Sequence, residues 1–265
     1  NGYAYQTINN YERSLRASFY IAIQDDYVRK NPFDFQLNTV IDDDTVPKTI
    51  LTLEQEARLL DFAKSDTVYH KNYDEILILL KTGLRISELC GMTVTDLDFE
   101  NHLILVNHQL LRNTELGYYI ETPKTKSSER QVPMVEVTCQ ALKRVLAVQN
   151  QNECVEIDGY SNFLFLNRNG YPKTACDFNS ILRNLIKKYN KCHEEKLPHI
   201  TPHTLRHTFC TNCANAGMNP KALQYIMGHA NITMTLNYYA HATCNSAMEE
   251  MKRLEKEQQA RCLVL

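Results

Sequence analysis

The sequence predicts a mainly α fold with a small antiparallel sheet (α+β), and three observations carry that expectation. Eight glycines and eight prolines in 265 residues are about half the usual share, too little punctuation for a many-turned β-sandwich. Most of the chain repeats apolar residues at three- and four-residue spacing, the period of a helix face. Only three short runs, Leu103-Ile104-Leu105-Val106, Tyr118-Tyr119-Ile120 and Gln131-Val132-Pro133, have the length and composition of strands. Apolar residues make up 43% of the chain and charged residues 23%, which suits a globular core and excludes a disordered chain.

The elements follow in order. From Gln6 to Lys30, Ile8, Tyr11, Leu15, Phe19 and Ala22 mark one amphipathic helix that must end before Asn31-Pro32, because a residue preceding proline avoids the α region. One such helix cannot bury its own stripe, so it reads as the end of a small helical domain that begins outside this chain. Residues 34–50, with Asp42-Asp43-Asp44 and Pro47, lose periodicity and read as a linker. Thr52 and Gln55 form a capping-box pattern that opens a helix running to about Lys64. A second helix, Tyr73 to Lys81, should stop at Gly83. The three strands come next, followed by helices over about 136–149, 175–190, 202–215, 220–227, 232–240 and 245–260.

Net charge is −2, without the basic excess that nucleic-acid-binding domains usually carry. Any phosphate-binding surface must therefore come from local clustering. The nine cysteines lack the spacing of a disulfide framework and point to a reducing cytoplasm. No run of about 18 apolar residues predicts a membrane span, and the first residues show no basic-then-apolar leader pattern.

Several groups could do chemistry. Thr201 can cap a helix that Pro202 starts, and His203, Arg206 and His207 then share one face near its N-terminus. Free N–H groups, the helix dipole and a guanidinium fork make that end a candidate oxyanion site; a plain polar helix face is the alternative. Arg85, between Leu84 and Ile86, should be partly buried and need an anion, which Glu88 could supply internally. The segment 122–130 (TPKTKSSER) reads as a hairpin tip able to reach a DNA groove, or as a solvated turn. Cys210 and Cys213 fit buried small positions on a helix better than a metal site. Tyr238 and Tyr239 point in different directions on a helix, so at most one faces a given site; both could equally be packing residues.

The order of these pieces is informative. Arg85 in TGLRISEL, a Lys in the 122–130 segment, His203 and Arg206 in PHTLRHTF, His229 in MGHANITMT and Tyr239 in NYYAH resemble the boxes of the tyrosine recombinases, specifically the phage-type integrases of conjugative transposons. The resemblance covers roughly residues 50–245. It implies a catalytic domain over 47–265 with a C-terminal tail helix, preceded by part of a helical core-binding domain and linker over 1–46.

By that resemblance Tyr239, two residues before His241, is the nucleophile. Arg85 and Arg206 hold the non-bridging oxygens of the scissile phosphate, His203 handles the nucleophile's proton, and His229 also contacts the phosphate. Lys124 matches the general acid, with Lys126 as competitor. The chemistry is self-consistent: a phenol of ordinary pKa near 10 needs surrounding cations, and each cation aimed at developing charge contributes ~3 kcal/mol. A 3′-phosphotyrosine conserves bond energy, so neither ATP nor a metal or other cofactor is expected. Lys126, Arg130, Arg29 and Lys30, with Arg183, Lys187, Lys188 and Lys191, are the expected DNA contacts. The implied partners are double-stranded DNA at element ends and target, held in a C-shaped clamp, and a homo-oligomer, dimer to tetramer, whose tail (Ala247, Met251, Leu254, then Cys262 to Leu265) packs in trans. An excision accessory factor is also implied, and no membrane. A type IB topoisomerase-like relaxing enzyme and a non-catalytic DNA-binding regulator are the alternatives.

Overall fold

The structure, a computed structural model, describes residues 2–45, 49–122, 129–148, 155–239, 251, 252 and 255. The chain divides into two compact units, Asn1–Lys48 and Thr49–Leu265.

In the first unit, helix α1 (Tyr5–Gln24) ends six residues before the predicted stop. Asp26 adopts a left-handed φ of 59°, and the Tyr27 and Asp26 N–H groups close back onto the carbonyls of Ala22 (2.9 Å) and Ile23 (3.1 Å). This is the closure that glycine usually makes, supplied here by an aspartate. The following segment packs back on α1. Arg16 Nε donates to the Phe33 carbonyl at 2.8 Å, Asn31 Nδ2 donates to the Arg16 carbonyl at 2.9 Å, and the Phe19 and Phe33 rings lie 5.3 Å apart.

In the second unit, α2 (Leu53–Ser65) starts with the expected capping box between Thr52 and Gln55. Helix α3 (Tyr73–Thr82) buries Ile76, Leu77, Ile78, Leu79 and Leu80 in succession. Such a helix is apolar all round and must lie inside the domain. It packs against α2, α5 (Glu136–Val148) and α7 (Pro202–Asn215). Gly83, with φ 63°, closes α3 as the sequence predicts. Helix α4 (Ile86–Gly91) then leads into the strands.

Among the described residues there are two small sheets rather than one. Strands β1 (Leu97–Asp98), β2 (Leu103–Val106) and β5 (Arg130–Pro133) form an antiparallel sheet in that spatial order. Strands β3 (Gln109–Asn113) and β4 (Gly117–Glu121) pair separately. Strands β4 and β5, which flank the expected hairpin tip, pair with different partners, and residues 123–128 themselves lie outside the described residues. In the register of β2 with β5, Val106 lies opposite Arg130 and Ile104 opposite Val132, and all four side chains face inward. Helices α6 (Ala175–Cys192), α8 (Pro220–Met227) and α9 (Ile232–Leu236) complete the unit. Helix α9 is shorter than the predicted 232–240, and the helix expected over 245–260 lies almost entirely outside the described residues.

Candidate active site

The site is organised by the C-terminus of α8. Asn219 caps its start, accepting from the Lys221 and Ala222 N–H groups, and Pro220 takes the first turn. At the other end Gly228, at φ 60°, lets the Gly228 and His229 N–H groups bond the carbonyls of Tyr225 (3.1 Å) and Gln224 (3.2 Å). The next three carbonyls, which no helical N–H can reach, each take one arginine. Ile226 O accepts from Arg130 Nε at 2.6 Å, Met227 O from Arg206 Nη2, and Gly228 O from Arg85 Nη2 at 2.7 Å. Arg206 Nη1 also donates to the carbonyl of Gly83 at 2.5 Å, the end of α3. Two helix C-termini, each the negative end of its dipole, thus gather three guanidinium groups.

Glu88 is their one close counter-ion among the described residues. Its Oε1 accepts from Arg130 Nη1 (2.8 Å) and Arg85 Nη1 (2.7 Å). Its Oε2 accepts from Arg130 Nη2 (2.8 Å) and the Arg85 backbone N–H (2.7 Å). Burial alone would raise the Glu88 pKa, but the Arg130 hydrogen bonds and the charges of Arg130 and Arg85 outweigh it and hold the group at about 2. Three arginines against one carboxylate leave the cluster cationic. Burial, followed by the Arg85 charge, pulls the Arg206 pKa down to about 10, still protonated at neutral pH. The Arg85 side chain is 33% exposed and that of Arg130 0%, so Arg85 offers the open edge.

His229 lies against the same cluster. Its Nδ1 meets Thr235 Oγ1 at 2.9 Å. Burial, then the charges of Arg206, Arg85, Arg130 and His207, push its pKa down to about 4, so it is a neutral imidazole at physiological pH. On α7, Thr201 and Thr204 make the reciprocal cap, and His203 and His207 stack with ring centroids 6.0 Å apart. The two tyrosines, in the turn that follows α9, make different hydrogen bonds. The Tyr238 hydroxyl hydrogen-bonds His207 Nδ1, and burial pushes its pKa to about 12 despite the Arg206 charge. The Tyr239 hydroxyl donates to the Met218 carbonyl at 2.6 Å. Its ring packs on Cys210, Ala214, Leu223 and Met227, and burial raises its pKa.

Residues 49–246 match the phage integrase family. The chain belongs to the phage integrase family. The transposase of transposon Tn916 from Enterococcus faecalis is 75% identical over 264 residues, taking in 100% of this chain and 65% of that protein; the Tn1545 transposase of Streptococcus pneumoniae matches to the same extent. This chain therefore spans about two-thirds of the length of those relatives. Among solved structures, the Tn1549 transposon integrase in complex with a circular intermediate DNA superposes with a TM-score of 0.90 at 63% identity, covering 96% of this chain and 80% of that one. The tyrosine recombinase XerC of Bacillus licheniformis is 27% identical over 91% of this chain and 72% of its own.

Within this phage-integrase domain the structure brings Arg85, Arg206 and His229 together, with His203 one helical turn before His207. Lys124 and Lys126 lie outside the described residues. Arg130 corrects the sequence reading. Expected at a DNA surface, it is buried because β5 pairs with β2 in the register that turns Arg130 and Val132 to the same inner face. Arg29 and Lys30 are exposed in the first unit. Arg183, Lys187 and Lys191 form an exposed row on α6, whereas Lys188 pairs with Asp66 at 2.5 Å. Cys210 and Cys213 serve as packing residues. The one group with metal-ligand chemistry among the described residues is His102, Glu136 and Cys139, within 4.8 Å of one another, on elements that supply none of the cluster above. Thr235 escaped the sequence reading; its only signal was a hydroxyl six residues after His229.

Proposed function

We propose that this chain cleaves and rejoins DNA strands for the integration and excision of a mobile element, through a covalent 3′-phosphotyrosine. The observation that carries the reading is the convergence of Arg85, Arg206 and His229 on the end of α8, a cationic site with one open edge. A backbone phosphate at the Arg85 edge would place its non-bridging oxygens toward Arg85 and Arg206. In the tautomer in which His229 Nδ1 accepts from the Thr235 hydroxyl, the imidazole carries its proton on Nε2 and can donate it to the same phosphate. A neutral histidine suits that role, since it adds a donor without adding a further buried charge.

The phenol of Tyr239 attacks phosphorus, its proton passing to His203. The bond from phosphorus to the 5′ oxygen breaks, and Lys124 protonates that oxygen as it leaves. The reverse step, attack by a second 5′-hydroxyl, rejoins strands. Tyr239 must leave the Met218 carbonyl to act, so its resting hydrogen bond separates binding from cleavage. Support for Tyr239 over Tyr238 comes from the Tn1549 integrase. One of its solved variants replaces an arginine and another a tyrosine, and the two positions are as far apart in that chain as Arg85 and Tyr239 are here. That integrase is seen on circular intermediate and on transposon right-end DNA, which makes element-end DNA the natural partner. A row of exposed cations on α6, with Arg29 and Lys30, supplies phosphate contacts outside the site. Assembly into a dimer to tetramer through the 245–265 tail, and cooperation with an excision factor, complete the proposal.

A nicked suicide substrate tests it. The chain should become covalently attached to DNA, Tyr239→Phe should abolish the adduct, and Tyr238→Phe should retain it. Binding without an adduct would make the protein a regulator. Relaxation of supercoils without joining of separate duplexes would make it topoisomerase-like. Loss of the adduct in Tyr238→Phe alone would move the nucleophile by one residue. Sedimentation on DNA of the chain and of a version ending at residue 244 tests the tail, and equal assembly by both would refute packing in trans.

A further inference from the structure

We propose that Arg130 is a positioning residue of the strand-transfer site: by holding both oxygens of Glu88, it keeps that carboxylate from neutralising Arg85. The inference rests on the reading of the cluster as a phosphate site and gives a role to a residue that the resemblance leaves without one in the reaction.

The geometry shows a competition for one carboxylate. Glu88 stands three residues after Arg85 on the first turn of α4, close enough to take the fork of Arg85 for itself. A carboxylate and a guanidinium left alone in a buried site form a bidentate pair, which would consume the donors needed for DNA. Arg130 prevents this. Its Nη1 and Nη2 meet Oε1 and Oε2 of Glu88, each at 2.8 Å, while the Arg85 side chain reaches only Oε1, through Nη1. The Nη2 of Arg85 is turned instead to the Gly228 carbonyl. Arg130 is itself fixed from behind by its Nε bond to Ile226 and by its inward place on β5. Two arginines sharing one carboxylate leave a unit of positive charge at the exposed member of the pair, Arg85. Arg130 never needs to touch the phosphate to do this, which accounts for a fully buried arginine in a DNA-processing site.

Burial makes a purely structural role the competing explanation, namely that Arg130 only ties β5 to α8. The two accounts diverge when Glu88 is also changed. If Arg130 acts by occupying Glu88, the damage from Arg130→Gln comes from a carboxylate released onto Arg85, and adding Glu88→Gln removes that carboxylate. If Arg130 is only a tie, the second substitution makes matters worse.

The measurement is the single-turnover rate of adduct formation on the nicked suicide substrate at saturating DNA, so that binding drops out. Arg130→Gln should slow cleavage by roughly tenfold to a hundredfold, less than the loss expected for a donor that contacts the reacting phosphate itself. The Glu88→Gln/Arg130→Gln double variant should recover most of that loss. Arg130→Lys, whose single ammonium cannot span both oxygens, should fall between and be rescued in the same way, and it serves if Arg130→Gln does not fold. Cleavage by either single variant at the unaltered rate overturns the proposal, as does a double variant no faster than its parent. An unaltered chain that forms no adduct removes both this inference and the reading beneath it, so the two failures are distinguishable.

Discussion

Gly228→Ala is the substitution whose consequences the structure defines most closely. A Cβ at this position would lie 2.9 Å from Arg130 Nη1, 3.1 Å from its Cζ and 3.2 Å from its Nε. The guanidinium cannot step aside cheaply, because Glu88 and the Ile226 carbonyl hold it. Two costs follow. A non-glycine residue in the left-handed region costs about 1 kcal/mol. Moving a charged donor off one of its acceptors costs about 2 kcal/mol more. A total near 3 kcal/mol in a domain of this size corresponds to a Tm lower by about 6–12 °C. Gly170 supplies the control. Its φ is 79°, and an added Cβ would meet nothing within 4 Å, so Gly170→Ala should show the backbone cost alone, about 2–4 °C. Thermal denaturation by circular dichroism measures both. Gly228→Ala should also slow adduct formation, because Gly228 carries the carbonyl that orients Arg85. Equal losses of Tm at the two glycines would refute the reasoning, since they would mean that the Arg130 guanidinium yields freely.

Arg206→Lys should slow cleavage by about 10²–10³-fold, because one ammonium cannot bridge the carbonyls of Gly83 and Met227 while presenting an edge to phosphate; a single-turnover rate within threefold of the unaltered chain would contradict this. The pH response has a definite sign. The folded pKa of His229, about 4, lies below its unfolded value near 6.5. The unfolded chain therefore binds the proton first, and stability falls as pH drops from about 6.5 toward 4. The acid loss from this residue amounts to about 1–3 kcal/mol. In Tm measured against pH, His229→Gln should flatten the curve across that window, and an unchanged slope would show that His229 titrates alike in the folded and unfolded chains.

Much of this architecture was legible because local chemistry and tertiary structure agree. Thr52 with Gln55, Gly83, and Thr201 with Pro202 mark helix ends by capping physics that needs no partner, and each stands where it was read. The misreadings have tertiary causes. Helix α1 stops at Asp26 because an aspartate accepts the left-handed closure, a choice that composition does not separate from an ordinary acidic helix residue. Strand β3 hides in a stretch whose Gln109, Arg112 and Asn113 look like loop, and its partner β4 forms a sheet of its own. Arg130 is the instructive case. The strand Arg130-Gln131-Val132-Pro133 alternates with period two, so placing Val132 inward places Arg130 inward as well. The charge of the side chain suggested a surface, but the register overrode it, and Glu88, already visible as a partner for Arg85, was the counter-ion that made burial feasible. Thr235 and the fan of α8 carbonyls left no comparable trace, because they matter only once α7, α8 and β5 have come together.

The low net charge of the chain then loses its difficulty. A protein that steers DNA over long range needs an excess of surface cations, but one that grips a single phosphate needs a local field in a place that water cannot screen. This domain builds that field with backbone as much as with side chains. The carbonyls at the ends of α3 and α8 that no helical N–H can reach are strong acceptors that would otherwise need water, and they hold guanidinium groups in place without neutralising them, as carboxylates would. Arg206 is the clearest example, since its donors at 2.5 Å to Gly83 and to Met227 are spent on dipoles rather than on an acid. Among the described residues only Glu88 pairs with these arginines to subtract charge, and it is shared. Acidic residues elsewhere on the surface can bring the total to −2 with little effect on the site, because solvent screens them over about 10 Å at moderate salt, while the arginines act at contact distance in a buried cluster.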